Sequence, residues 1–294
     1  MKSPSLHPRW APWVFVAPFI LVFFTFTAWP LAQSLVLAFQ QTFGPKSTKF
    51  VGFGNFIFLL HDPLFWHAVR NTVTYAAGAI FVQLPVALGL ALLLNRPRLR
   101  GRTAFRLIFF SPSLVGLVFV GLMFSLMFQK RAGLWDVGLH ALFAGWDPEF
   151  AWLDHDVMPA LIIASVWLYA GFNMIYFLAA LQNVNRELLE AAQIDGAGRW
   201  ARFRHVVVPE IRPVAGFVVL LSVIGSFQLF ELPWVLLDSG SGPGNSGLTV
   251  VMYLFQTGFL TSDLGYASAI GWVLGLILVI AALVQLRVAR KETS

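Results

Sequence analysis

Six long apolar runs pattern the chain. They span 14–38, 73–94, 107–128, 158–181, 214–237 and 267–286. A helix of about 20 apolar residues crosses roughly 30 Å of hydrocarbon, and each run is long enough. Glu231 is their single residue of Asp, Glu, Lys or Arg type. The runs are continuously apolar, whereas a membrane barrel alternates over ten-residue segments, so strands are excluded. The pattern predicts an all-α membrane protein: six transmembrane helices in one membrane domain, 1–294.

Between the runs the polar positions differ in kind. The first run is too long for a signal-peptide core, and no small-residue cleavage site follows it, so it reads as an uncleaved helix. Pro12 and Pro18 lie near its start, Pro30 is deep enough to kink it, and Trp10, Trp13 and Trp29 mark interfaces. The segment from Gln129 to Val157 carries Asp136, Asp147, Glu149, Asp154 and Asp156, and is long enough for a small folded cap. Ser239 to Gly247 reads SGSGPGNSG, which predicts turns.

The basic residues set an orientation. Lys2, Arg9, the five arginines of 96–106, the five of 186–212, and Arg287, Arg290 and Lys291 fall on one side, 15 of 20 in all. Lys46, Lys49, Arg70, Lys130 and Arg131 fall on the other. By the positive-inside rule both termini are expected in the cytoplasm. Composition agrees with a membrane class: 58% hydrophobic, 12% charged, 29 Phe and 11 Trp, with mean hydropathy +0.74. A soluble domain is nearer one quarter charged. The net charge of +6 is scattered between spans, which argues against nucleic acid. With no cysteine, disulfides and thiolate sites are excluded.

Catalytic and cofactor patterns are sparse. There is no P-loop and no H-E-x-x-H pair. Gly196 to Ala201 matches G-x-G-x-x-A, but it follows a predicted helix where the dinucleotide fingerprint requires a strand. None of the six histidines lies inside a run, so paired haem ligands are not expected. Glu231 is the sole candidate for an intramembrane proton relay. It lies 18 residues beyond Pro213, roughly 27 Å along a continuous helix, close to the outer rim where a carboxylate costs little.

The polar stretch 183–213 is different. Asn185 is a candidate N-cap with Glu187 in the first turn, and Leu188 to Ile194 are good helix formers. Gly196 and Gly198 then stop the helix. A second piece, Arg199 to His205, puts Trp200 and Phe203 on one face, and Pro209 is expected to end it. From the pattern alone this is either an amphipathic connector on the membrane surface or a knob that docks into another protein. Ala191, Ala192, Gly196 and Ala197 would permit close approach.

The spacing carries a resemblance. Glu190-Ala191-Ala192, Asp195-Gly196-Ala197, Phe203 and Val206-x-Val208-Pro209 resemble the EAA loop of binding-protein-dependent ABC importer permeases. Val206 and Val208 stand where the family favours Ile and Leu. Asn71-Thr72, the LGLALLLN run of 88–95, Phe105-Arg106, 179–182, Gly242-Pro243 and the DLGYASA segment of 263–269 resemble the carbohydrate-uptake branch, including oligosaccharide, polyol and glycerol-phosphate permeases. Gly240-Ser241-Gly242-Pro243 departs from the Gly-Gly-Pro of many members.

The resemblance implies the ABC type I importer permease fold in the cytoplasmic membrane of a bacterial or archaeal cell, and a transporter rather than an enzyme. It implies four kinds of partner: a second, different permease, two copies of a nucleotide-binding ATPase, an extracytoplasmic solute-binding protein, and a small solute. ATP and Mg would be bound by the ATPase, with no cofactor or metal on this chain. Residues 183–213 would form the coupling loop. Glu190 and Asp195 would orient it, Ala191, Ala192 and Ala197 seat it, Gly196 turn it, and Phe203 and Pro209 anchor it.

In the family, the spans flanking this loop line the solute path. That points to Ser165, Tyr169, Phe172 and Asn173 in the fourth run, and to Ser222, Ser226, Gln228 and the rim residue Glu231 in the fifth. Aromatic faces with amide and hydroxyl groups suit a sugar or related polyol, although Ser, Asn and Gln also bridge helices in lipid. Ser165, Tyr169 and Phe172 share a face by their spacing. Gly271 and Gly275 form G-x-x-x-G, which predicts close helix packing. Three alternatives stay open: a glycerol-phosphate-type solute, an ATP-independent secondary transporter, and a membrane-embedded enzyme. The second needs buried charges at depth, and the third a catalytic cluster that the sequence does not show.

Overall fold

The computed structural model describes residues 10–42, 48–96, 99–130, 133–143, 145, 147, 150–155 and 157–291. Lys2, Arg9, Lys46, Arg98, Arg131, Glu149 and Asp156 lie outside the described residues, as do the side chains of Pro12, Arg290 and Lys291. In chain order the elements begin with α1 (Trp13–Ala38), β1 (Gln40–Thr42), β2 (Thr48–Phe50), α2 (Gly54–His61) and α3 (Pro63–Leu94). Next come α4 (Arg102–Phe110), α5 (Leu117–Met127), α6 (Leu134–Leu142), α7 (Val157–Gln182) and α8 (Arg186–Ile194). Then follow α9 (Arg199–Phe227), α10 (Glu231–Leu236), α11 (Val250–Leu260) and α12 (Leu264–Lys291).

Five helices are long and apolar enough to cross a membrane: α1, α3, α7, α9 and the 264–285 part of α12. A sixth crossing requires α4 and α5 together, and these are bent by 97°. So the run 107–128 is not a straight helix, contrary to expectation. Its middle, Ser111–Leu114, tightens to a 3-10 turn. Val115 and Gly116 then go extended, with ψ 134° and 141°. Pro112 is a local cause, since it has no N–H for the Ile108 carbonyl, which accepts the Ser111 hydroxyl at 3.1 Å instead.

The run 214–237 is also discontinuous. α9 stops at Phe227, and α10 starts afresh at Glu231. The freed Leu229 carbonyl accepts the Thr249 hydroxyl at 2.7 Å. A broken helix at membrane depth requires such a substitute partner.

Besides Gln256–Leu260 at the end of α11, five-residue π turns occur among the described residues at Phe24–Ala28, Ala79–Gln83 and Phe203–Val207. Each of these last three is followed two residues later by a proline: Pro30, Pro85 and Pro209. A proline inside a helix has no N–H to donate, and its ring collides with the carbonyl four residues back. That carbonyl belongs to Phe26, Phe81 or His205, in each case inside the π turn. The widened turn relieves the collision without breaking the helix. Pro209 therefore does not end the second polar piece. Arg199–Phe227 runs on as one helix, correcting the predicted proline stop.

The chain forms two compact units. One comprises Met1–Asp62 and Leu254–Val273, the other Pro63–Tyr253 and Leu274–Ser294. In the first unit, β1 and β2 pair antiparallel, Gln40 opposite Phe50. The Asn55 amide donates to the carbonyls of Ala38 and Gln40, both at 2.9 Å. Asp263 caps α12 by accepting the Tyr266 N–H at 3.0 Å, and the Tyr266 hydroxyl donates to Asp62 at 2.5 Å. Gly265 has a steric role: a Cβ there would lie 1.8 Å from the Gln40 carbonyl oxygen.

The second unit holds two apolar clusters. One surrounds Phe124, Phe128, Leu161 and Leu168, and the other Ala87, Ala91, Met174 and Val218. Its glycine-rich loop is tied down by the Asn71-Thr72 pair. Asn71 donates to the carbonyls of Asn245 and Leu248 at 2.9 and 3.0 Å, and Thr72 accepts the Val250 N–H at 3.1 Å. Within the predicted cap, Asp136 is buried and accepts the Trp152 indole N–H at 2.8 Å.

A candidate solute cavity and a candidate coupling stretch

A cavity of about 190 Å³ opens in the second unit between α3, α7 and α9. Three residues reach it from α3: Tyr75, Ala79 and Gln83. Ala79 and Gln83 are the two ends of the π turn set by Pro85. Helix α7 contributes Tyr169, Phe172 and Asn173. From α9 come Leu221, Ser222, Gly225 and Ser226, with Leu229 at the break.

The chemistry of the lining is neutral and hydrogen-bonding. Gln83 is 4% exposed and Asn173 6%. Neither amide has a hydrogen-bond partner in the chain among the described residues. The amide atoms remain open to the cavity, where an entering hydroxyl group can satisfy them. The Ser226 hydroxyl gives its proton to the Ser222 carbonyl at 2.7 Å and keeps its lone pairs. Phe172 meets Tyr176 edge-on at 5.3 Å, and Tyr176 meets Phe217 at 6.0 Å, which extends an aromatic wall beside the cavity.

Of the residues singled out from sequence, Tyr169, Phe172, Asn173, Ser222 and Ser226 come together here. Ser165 does not line the cavity. It is fully buried and donates to the Ile162 carbonyl at 2.8 Å. Gln228 caps the end of α9 on the exposed surface rather than facing the cavity. Glu231 opens α10, also exposed, with its carboxylate near enough to Tyr169 to act on it electrostatically. The helix break changes the facing of both. Sequence reasoning missed Tyr75 and Gln83. The available signal was a lone Gln in an apolar run, two residues before a proline.

The polar stretch is built as a hairpin of helices. Asn185 accepts the Glu187 N–H at 2.8 Å, the predicted N-cap. At the far end Gly196 adopts φ +79°. Its N–H bonds to the Gln193 carbonyl at 3.1 Å, and the Ala197 N–H to the Ala192 carbonyl at 2.9 Å. This is the Schellman arrangement, which requires a left-handed residue where glycine is least strained. Arg202 then donates to Gln193 at 3.1 Å and ties α9 back to α8.

Glu190, Ala191, Asp195, Gly196 and Pro209 are exposed, while Ala192, Ala197 and Phe203 are half-buried. Phe203 packs on Trp200 at 5.5 Å. The apolar side chains that stand out most from the stretch are Leu188, Ile194 and Trp200, at 46, 87 and 70% exposure. Ile194 beside Gly196 is a contact candidate that the motif alone did not single out.

Residues 83–291 match the family described as "Binding-protein-dependent transport system inner membrane component". The chain is 37% identical over 282 residues to the arabinooligosaccharides transport system permease protein AraP of Bacillus subtilis (strain 168), covering 95% of this chain and 88% of that one. It is 35% identical to the lactose transport system permease protein LacF of Rhizobium radiobacter, covering 95% and 94%. Identity to the sn-glycerol-3-phosphate transport system permease protein UgpA of Yersinia enterocolitica is 30%, covering 99% and 98%. Among solved structures, a bacterial ABC transporter importing the polysaccharide alginate shares the fold at TM-score 0.82 and 23% identity, over 97% of this chain and 96% of that one. The chain thus belongs to the binding-protein-dependent inner membrane components, the multi-pass permease subunits of ABC importers, and is a transport protein rather than an enzyme.

Proposed function

We propose that this chain forms half of the translocation path for a neutral sugar or related polyol, and that 183–213 couples it to a cytoplasmic ATPase. The observation that carries the solute reading is the pair of buried amides, Gln83 and Asn173, set between Tyr169 and Phe172 without partners of their own. Hydroxyl-rich solutes satisfy amides, and sugar faces stack on aromatic rings. The cavity lining holds no Lys, Arg, Asp or Glu. An anionic solute would enter without a counter-charge from this chain. The names of the 37% and 35% identical relatives, for arabinooligosaccharides and lactose, support the neutral class over a glycerol phosphate.

At about 190 Å³ the cavity is smaller than the roughly 300–1,000 Å³ of most small-molecule sites. That supports a path completed by a second permease. The remaining partners follow from the family resemblance: two ATPase subunits, which hold the ATP and Mg, and an extracytoplasmic solute-binding protein. When the ATPases close on ATP, α8 transmits their motion as a rigid body to α7 and α9, the helices it joins.

The test is ATP-driven uptake by the assembled transporter in proteoliposomes. Neutral oligosaccharides and glycerol phosphate are offered in parallel, each with its binding protein. Uptake of the neutral solute, dependent on ATP, is expected. Uptake of glycerol phosphate alone would overturn the solute class, and uptake driven by an ion gradient without ATP would overturn the coupling.

A further inference from the structure

Arginines crowd one short segment of the second unit. Arg96, Arg100, Arg102 and Arg106 fall within eleven positions, and no acidic residue stands anywhere between Asp62 and Asp136. Among the described residues none of the four has an ion-pair partner. Arg96 and Arg100 are exposed. Arg102 and Arg106, one turn apart on α4, are half-buried, and the Nε of each is buried without a hydrogen-bond partner. Arg102 is held in place by donating from its Nη2 to the Arg96 carbonyl.

The same helix is oily on its outer side. Phe105, Leu107 and Ile108 are 42, 64 and 61% exposed, and Leu114 just beyond is 72% exposed. Its inner side is pressed against α7, where a Cβ on Gly171 would lie 1.7 Å from the Phe109 carbonyl oxygen. So two guanidinium groups sit in the seam between a close-packed face and a face that requires hydrocarbon. Half-buried charge without a counter-ion is costly. The site asks for a phosphate-like anion joined to acyl chains.

We infer that Arg102 and Arg106, with Arg96 and Arg100 at the rim, hold the headgroup phosphate of an anionic phospholipid whose chains lie along Phe105, Leu107 and Ile108. A guanidinium fork matches phosphate oxygens, and basic clusters at a span's edge attract anionic headgroups. A soluble phosphate would satisfy the arginines but leave the apolar side chains unaccounted for. The acidic surface of a partner protein would do the same.

The experiment is native mass spectrometry of the detergent-purified transporter complex, titrated with dioleoylphosphatidylglycerol and, separately, dioleoylphosphatidylcholine. Three variants accompany the wild type: Arg102→Gln/Arg106→Gln, Arg102→Lys/Arg106→Lys, and Arg70→Gln/Lys130→Gln as a charge-matched control. Tighter binding of phosphatidylglycerol is expected in the wild type. The Gln pair should weaken it on the order of tenfold, the Lys pair should weaken it less, and the control should leave it unchanged. Equal binding of the two lipids by the wild type overturns the inference. So does an unchanged preference in the Gln pair, or equal loss in the control. If millimolar inorganic phosphate displaces the lipid preference, the site is one for a soluble anion. If the Gln pair sheds a subunit while keeping its lipid preference, the surface belongs to a protein partner. The Lys pair keeps the charge and so separates lost binding from lost folding.

Discussion

Gln83 and Gly171 show how much single positions carry. Gln83 is one polar residue in an apolar run, and its value depends on the π turn that aims it at the cavity. Gln83→Ala and Asn173→Ala are each expected to cut solute uptake about tenfold, since a lost hydrogen bond to a desolvated solute costs on that order. Uptake normalised to the amount of protein in the membrane, measured by immunoblot, checks this, and unchanged uptake in both would remove the cavity from the path. Gly171 is a packing residue. Its missing Cβ lets the Phe109 backbone approach α7, one position from Phe172. Gly171→Ala is expected to destabilise by about 1–3 kcal/mol, the usual cost of overpacking, read as a lowered thermal midpoint in detergent.

Helices decide what the motifs mean. The Schellman turn at Gly196 explains the glycine of the EAA pattern on conformational grounds: φ is +79°, and the space around an added Cβ is open. Gly196→Asn should therefore keep the turn, because Asn tolerates the left-handed region. Gly196→Arg should place bulk on the exposed surface and lose the ATPase. Co-purification of the ATPase with each variant distinguishes the two, and retention with Arg would refute the docking role. The prolines make a second element-scale prediction. Pro85 enforces the widened turn that separates Tyr75 from Gln83. In Pro85→Ala a regular turn becomes available, which would rotate the preceding part of α3 by about 100° relative to the following part. Uptake should fall while the melting temperature holds or rises.

For the whole molecule, the expectation is an assembly. Affinity purification of this chain from native membranes in mild detergent should bring down a nucleotide-binding subunit and a second permease. A chain that purifies alone and moves solute without ATP would contradict the proposed coupling. The apolar surfaces agree with a subunit that meets lipid or partners. None of the most apolar window of α1 is buried, and Phe15, Phe19 and Phe26 are 85, 69 and 74% exposed.

Much of this protein was determined by sequence alone. Continuous apolar runs require helices in lipid, because a helix satisfies its backbone from within. That is why the all-α membrane class and the runs carrying α1, α3, α7, α9 and α12 were legible. The cap at Asn185 and the turn at Gly196 were legible too, since they depend on residues a few positions apart. Tertiary structure decided the rest. Hydropathy does not register the 97° bend between α4 and α5, because the residues around Ser111–Gly116 remain largely apolar. Nor does it register the break before Glu231, where Thr249, twenty positions on from Leu229, donates its hydroxyl to the freed Leu229 carbonyl. The cavity has the same origin. Gln83, Asn173 and Ser226 lie on three helices far apart in the chain, and only packing brings them to one wall. Periodicity reports one helix's faces, but which face meets another helix depends on how bulges, breaks and close approaches from distant parts of the chain combine in the packed structure.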